Sequence, residues 1–136
     1  MDTGVLMLFC LNEVEERIIK LLSDLENGVI HSQVIAPVLC ELFFHLCRSR
    51  GREYASMKVS SLPEAYAIEV VPVDMDLTIR AEQLKCQYQS AVSYNDCLSI
   101  AHCLKARIAL HTTEKKLKTL PGLVLQQLKI VKYAWD

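Results

Sequence analysis

Residues 93–110 read Ser93-Tyr94-Asn95-Asp96-Cys97-Leu98-Ser99-Ile100-Ala101-His102-Cys103-Leu104-Lys105-Ala106-Arg107-Ile108-Ala109-Leu110. Ser93-x-x-Asp96 is a capping-box-like start for a helix running to about Lys105. Ile108-Ala109-Leu110 then has the character of a buried strand, with Glu114 directly beyond it. The same helix–strand alternation extends in both directions. Residues 12–27 carry Val14, Ile18, Leu21, Leu22 and Leu25 at a helical period, with Asn12 a candidate N-cap and Gly28 a candidate stop. Val29–Val34 reads as a short strand. Pro37 suits the first turn of a helix through Arg48 or Arg50, which Gly51 can end. Residues 52–61 form another helix, ending before Pro63. Ile68–Val73 is β-rich, with its proline at a strand end or edge. Residues 76–88 return to a helical period. Leu128–Tyr133 reads as a last strand. Strands alternating with helices predict an α/β chain: one three-layer α/β/α sandwich over residues 1–136, with a central parallel sheet.

Composition narrows the function classes. The chain has 136 residues, 51% hydrophobic and 23% charged, with 4 Gly and 4 Pro. Such a chain is neither disordered nor collagenous. Fifteen Lys and Arg against sixteen Asp and Glu leave a net charge of −1, which excludes nucleic-acid binding by bulk electrostatics. With so few glycines, a Gly-rich phosphate loop is also excluded. The six cysteines, most of them in apolar runs, show no C-x-x-C or zinc-finger spacing and read as small core residues of a reducing compartment, with a disulfide as the alternative. The apolar run 4–11 is too short to span a bilayer, and it follows an acid where a signal peptide carries positive charge. A cytoplasmic protein with no membrane partner is expected.

Four acids stand in unusual places. Asp2 precedes an apolar run. Glu41 interrupts the apolar helix residues Val38 to Phe44, where a carboxylate is costly unless paired or at the rim of a site. His45 and Arg48, at i+4 and i+7, offer a solvated stripe as the alternative. Asp96 is either a simple capping acid or a carboxylate presented at a helix N-terminus. Glu114 follows a predicted strand, where an α/β sheet collects ligands. The alternative there is a first-turn acid behind a threonine cap.

In order, these four acids resemble the acidic set of PIN-domain nucleases, especially VapC-type toxins. The matching words are Asp2-Thr-Gly-Val-Leu6, then Glu41 in Ala36-Pro-Val-Leu-Cys-Glu-Leu-Phe43, Ser93 to Ala106 around Asp96, and Leu110-His-Thr112-Thr-Glu114. Eighteen residues separate Asp96 from Glu114, similar to the family's helix-plus-strand spacing. Residues 71–81 also resemble its strand-to-helix passage. The resemblance implies a metal-dependent endoribonuclease using Mg²⁺ or Mn²⁺, a choice that suits oxygen ligands and phosphodiester hydrolysis. It implies Asp2, Asp96 and Glu114 at the metal, Glu41 acting through water or at a second position, and Thr112 orienting a carboxylate. It further implies an RNA substrate, a toxin's antitoxin partner and a homodimer.

This chain departs from the family pattern twice. The family's first strand normally precedes the first acid, and here only Met1 does, so a truncated first strand is expected. The last acid is Glu114 where Asp is usual. Both keep open a second reading, a non-catalytic PIN-like module that binds protein or RNA. Arg48, Arg50 and Arg52, with Lys115, Lys116 and Lys118, are candidate holders of the RNA backbone or ordinary solvated bases. Tyr54 and Tyr94 are candidate stacking residues.

Overall fold

The computed structural model describes residues 1–11, 15–88 and 92–134. Elements run in the order α1 (Thr3–Cys10), α2 (Glu16–Glu26), β1 (Ser32–Ile35), α3 (Ala36–Arg50), α4 (Arg52–Ala65), β2 (Ile68–Val71), α5 (Met75–Tyr88), α6 (Tyr94–Ala106), β3 (Leu110–Thr112), a 3₁₀ turn (Lys116–Thr119), α7 (Gly122–Gln127) and β4 (Ile130–Lys132). Asn12 and Val14 lie outside the described residues.

The expected alternation is present, and both strand pairs are parallel. Among the described residues the strands form two pairs, β1 with β2 and β3 with β4, in keeping with the expected truncation of the first strand. Ser32 stands opposite Ile68 and Ile35 opposite Val71 in the first pair. Leu110 stands opposite Ile130 and Thr112 opposite Lys132 in the second.

Strands β1, β3 and β4 start later than their composition suggests, and for one reason. The helix before each takes its first residues as a stop. Asn27 caps α2, Gly28 turns at φ 69°, and the N–H groups of Gly28 and Val29 donate to the carbonyls of Leu25 and Asp24. This is a Schellman closure. Val29 and Ile30 are thereby withdrawn from β1. Arg107 adopts the left-handed conformation at φ 57°, and Ile108 N–H donates to the Cys103 carbonyl. Strand β3 therefore begins at Leu110, which places Thr112 at its carboxyl end. Helix α3 stops at Gly51 as expected, at φ 91°. Helix α4 continues through Pro63 to Ala65. Near that proline, the Ser60 and Ser61 hydroxyls bond back to the Ser56 and Lys58 carbonyls.

The apolar run after Asp2 is itself a helix. Seven of the eight α1 residues are buried, as expected for a helix hydrophobic on all sides at the centre of a core. It packs against α2, α3 and β3. Three cysteines, Cys10, Cys97 and Cys103, join the core as expected; Cys40 and Cys86 are exposed and Cys47 is half-buried. All six are free thiols.

Candidate active site

Four different parts of the chain meet at one small cleft. It has a volume of about 220 Å³, and Asp2, Glu41, Asp96, Glu114 and Lys116 contribute to its walls. Each acid is delivered by a local structural rule. Asp2 is the N-cap of α1, its Oδ1 accepting from Val5 N–H at 3.1 Å. Its main chain is tied to β3 by an N–H bond to the His111 carbonyl at 3.0 Å. Glu41 lies in the second turn of α3. Asp96 closes a full capping box: its N–H donates to Ser93 Oγ at 3.1 Å, and its Oδ2 accepts from Ser93 N–H at 3.4 Å. The simple capping role and the cleft-facing role are held by the same residue. Glu114 follows β3, two residues beyond Thr112.

Thr112 is the hub of the arrangement. It is 1% exposed. Its hydroxyl donates to Asp2 Oδ2 and accepts from Glu114 N–H at 2.9 Å. One buried hydroxyl thus fixes the first acid and the turn that carries the last. Glu114 Oε1 accepts from Lys116 N–H at 2.8 Å.

Three further residues shape the cleft and were not legible as site residues. Asn95 Nδ2 donates to Glu41 Oε2 at 2.9 Å and to the Pro37 carbonyl at 3.4 Å, tying α6 to α3. Ser93 holds the α6 terminus. Gly4 allows α1 to approach the segment after β3, since a Cβ there would lie 1.8 Å from Thr113 Oγ1. No spacing signal announces such a contact. His45 Nε2 lies 3.6 Å from Glu41 Oε1, so the i+4 pairing is real.

Two of the carboxyls are shifted by their surroundings. Burial raises the Asp2 carboxyl pKa, opposed by its bonds from Thr112 and Val5. Asp96 is also raised, chiefly by burial, with the charges of Glu114 and Asp2 adding to it and the Ser93 bonds opposing. The negative charges that reach Asp96 from Glu114 and Asp2 are of the kind a bound cation relieves. The donor set is all oxygen, the chemistry of hard divalent cations. As the side chains stand, each is engaged by a local donor. Among the described residues, no three His, Cys, Asp or Glu side chains are already grouped to share an ion.

The other candidates are placed as follows. Lys116 lines the cleft. Lys115 is exposed beside it. Arg48, Arg50 and Arg52 lie beyond Glu41 toward and past the end of α3, with Arg48 over the Phe44 ring and Arg50 over that of Tyr54. Tyr54 is half-buried, and its hydroxyl donates to the Cys10 carbonyl at 2.7 Å, so it serves the fold. Tyr94 is 62% exposed beside Lys85. His111 bonds the Tyr133 hydroxyl at 2.8 Å, and burial lowers its pKa to about 4.

The PIN domain family model matches residues 1–123. The chain belongs to the PIN domain family. Solved structures similar to this PIN domain include VapBC2 from Rickettsia felis bound to a promoter DNA fragment. It has 19% identity and a TM-score of 0.72, covering 99% of this chain and 96% of that one. VapC20 from Mycobacterium tuberculosis, a toxin that cleaves the sarcin–ricin loop, has 18% identity and a TM-score of 0.65 over 79% and 82% of the two chains. A toxin–antitoxin complex from Klebsiella pneumoniae has 16% identity and a TM-score of 0.63 over 98% and 97%. No curated protein sequence matches. Among the described residues, no helix of this PIN domain is long and apolar enough to cross a membrane.

Proposed function

We propose that this PIN-domain protein is an endoribonuclease dependent on Mg²⁺ or Mn²⁺, and the toxin of a toxin–antitoxin pair. The observation that carries the reading is the meeting of Asp2, Glu41, Asp96 and Glu114 at one 220 Å³ cleft. Asp2, Asp96 and Glu114 would hold the cation, with Glu41 beside it. A cation bound there supplies charge neutralisation for the phosphodiester and activation of a water nucleophile. Thr112 aims Asp2, and its hydroxyl bond opposes the rise in pKa that burial imposes on that carboxyl. Asn95 fixes the position of Glu41 by its amide donation. Lys116, with Lys115 near it, places positive charge at the rim for an RNA phosphate.

The toxin reading is supported by the antitoxin complexes among the similar structures. It also has a surface to use. An apolar groove containing Ala36, Pro37, Cys40, Phe44 and Val73 borders Glu41 and Asn95. Phe44 is 54% exposed there. An antitoxin helix laid in this groove would bring its polar end to the acids. A homodimer and a cytoplasmic location belong to the same proposal.

Asp96→Asn tests the reading. Asparagine keeps an oxygen to accept from Ser93 N–H, so α6 stays capped. The expected result is loss of Mn²⁺-dependent RNA cleavage with an unchanged circular dichroism spectrum and Tm. Full cleavage by this variant refutes the assignment. The second reading, a non-catalytic binding module, rests on the local donors already engaging each carboxylate. It requires that calorimetry detect no Mn²⁺ binding by the native chain.

A further inference from the structure

We propose that the apolar groove beside the acidic cleft is a nucleobase subsite, taking an unstacked base that carries an exocyclic amino group and adjoins the phosphate at the acids. The subsite rests on the ribonuclease reading above and names the part of the RNA it recognises. The groove holds about 590 Å³ and runs along α3, and Glu41 is a wall of both the groove and the 220 Å³ cleft. Helix α6 repeats the junction, since Asn95 lines the groove and Asp96 lines the cleft. Neighbouring residues thus serve neighbouring spaces, as a base and its own phosphate require.

The groove offers a face for a ring. Pro37, Cys40 and Phe44 follow one another on α3 at spacings of three and four residues, so they share one side of the helix. Phe44 is 54% exposed. Aromatic rings left open beside a nucleic-acid path are the platforms on which single-stranded bases stack. The Arg48 guanidinium lies 5.8 Å from the centre of the Phe44 ring, and it forms no ion pair among the described residues. Its charge is available to the backbone beside a stacked base.

Asn95 reads the edge. Its Nδ2 donates to two acceptors, Glu41 Oε2 at 2.9 Å and the Pro37 carbonyl at 3.4 Å. An ionised carboxylate and a carbonyl can only accept, so the amide is held in one orientation. Asn95 Oδ1 is left without a partner among the described residues. It is an acceptor at the junction of groove and cleft. A base edge with an amino group satisfies it, and an edge with a carbonyl meets it acceptor to acceptor. Adenine carries an amine where hypoxanthine carries a carbonyl on the same purine ring, so this pair isolates the contact.

The test is binding without cleavage. Two fluorescein-labelled oligouridylates of about ten nucleotides, one with a central adenosine and one with inosine in its place, are titrated with the full chain in EDTA and followed by anisotropy. The adenosine strand should bind at least about fivefold tighter. Asn95→Ala should abolish that difference. Phe44→Leu keeps an apolar side chain at an exposed position and should weaken the adenosine strand by about tenfold. Phe44→Tyr should restore it. The subsite is overturned if the native chain binds both strands equally or neither strand, or if its preference survives Asn95→Ala. Undiminished affinity in Phe44→Leu also overturns it, and leaves the groove to the antitoxin helix proposed above. No metal or cleavage enters these readouts. A chain that discriminates the strands and never cuts RNA, or one that cuts and does not discriminate, fails one reading and keeps the other.

Discussion

Replacing Thr112 by valine removes one hydroxyl and keeps the shape of the side chain. Two buried bonds go with it, the donation to Asp2 Oδ2 and the acceptance from Glu114 N–H at 2.9 Å. A bond to a charged group contributes about 1.5–3 kcal/mol and a neutral one about 0.5–1.5 kcal/mol. Removing both should cost about 2–4 kcal/mol. That is a large share of the roughly 5–15 kcal/mol that holds a domain folded. Urea unfolding is the assay, and the midpoint should fall by roughly 1–2 M at an m-value of about 2 kcal/mol per M. Thr112→Ser is the companion: it keeps the hydroxyl, loses one methyl, and should cost only about 1 kcal/mol. If valine costs no more than serine, the hydroxyl is not the hub described above. In the proposed nuclease, valine should also lose RNA cleavage at temperatures where it remains folded, because Asp2 and Glu114 lose their common anchor.

Other perturbations separate the supports of the fold from those of the cleft. Gly4→Ala drives a Cβ into Thr113 and should cost about 1–3 kcal/mol in a urea titration, with a comparable loss of cleavage; a silent substitution would show that the close approach is dispensable. Tyr54→Phe removes the bond to the Cys10 carbonyl and should lower stability by about 1 kcal/mol without changing cleavage per folded molecule. Asp76 accepts from Lys105 at 2.5 Å and Arg80 at 2.9 Å, bonds that lower its pKa from 3.8. Its contribution to stability is present above pH 3.8 and lost as pH falls through the lower folded value. Asp76→Asn should therefore reduce Tm near neutrality and flatten its acid decline, as thermal melts across pH 2–7 can show.

Much of this architecture could be read from local chemistry. Ser93-x-x-Asp96 specified a capping box, and both of its bonds are present. Gly28 and Gly51 marked helix ends, and each has a positive φ. What resisted reading depends on contacts distant in sequence. Strand starts were misjudged because Val29 and Ile108, β-formers by type, close the preceding helices. Helix α1 was missed because a short, uniformly apolar run has no period to detect, and its burial comes from neighbours on every side. Asp2, Glu41, Asp96 and Glu114 could be picked out through family order. Asn95, Thr113 and Gly4 could not, because nothing adjacent in the chain explains their partners. The division of the sheet agrees with the expected truncation of the first strand, since only Met1 stands ahead of Asp2 to fill the place between β1 and β3.

Asp2 and Thr112 are 110 positions apart. During synthesis the amino end emerges first, so the first acid waits through nearly the whole length of translation for the residue that orients it. A growing chain has no assembled cleft before Thr112 and Glu114 have been added, so destruction of the segment that carries them would disarm a nuclease built on these acids.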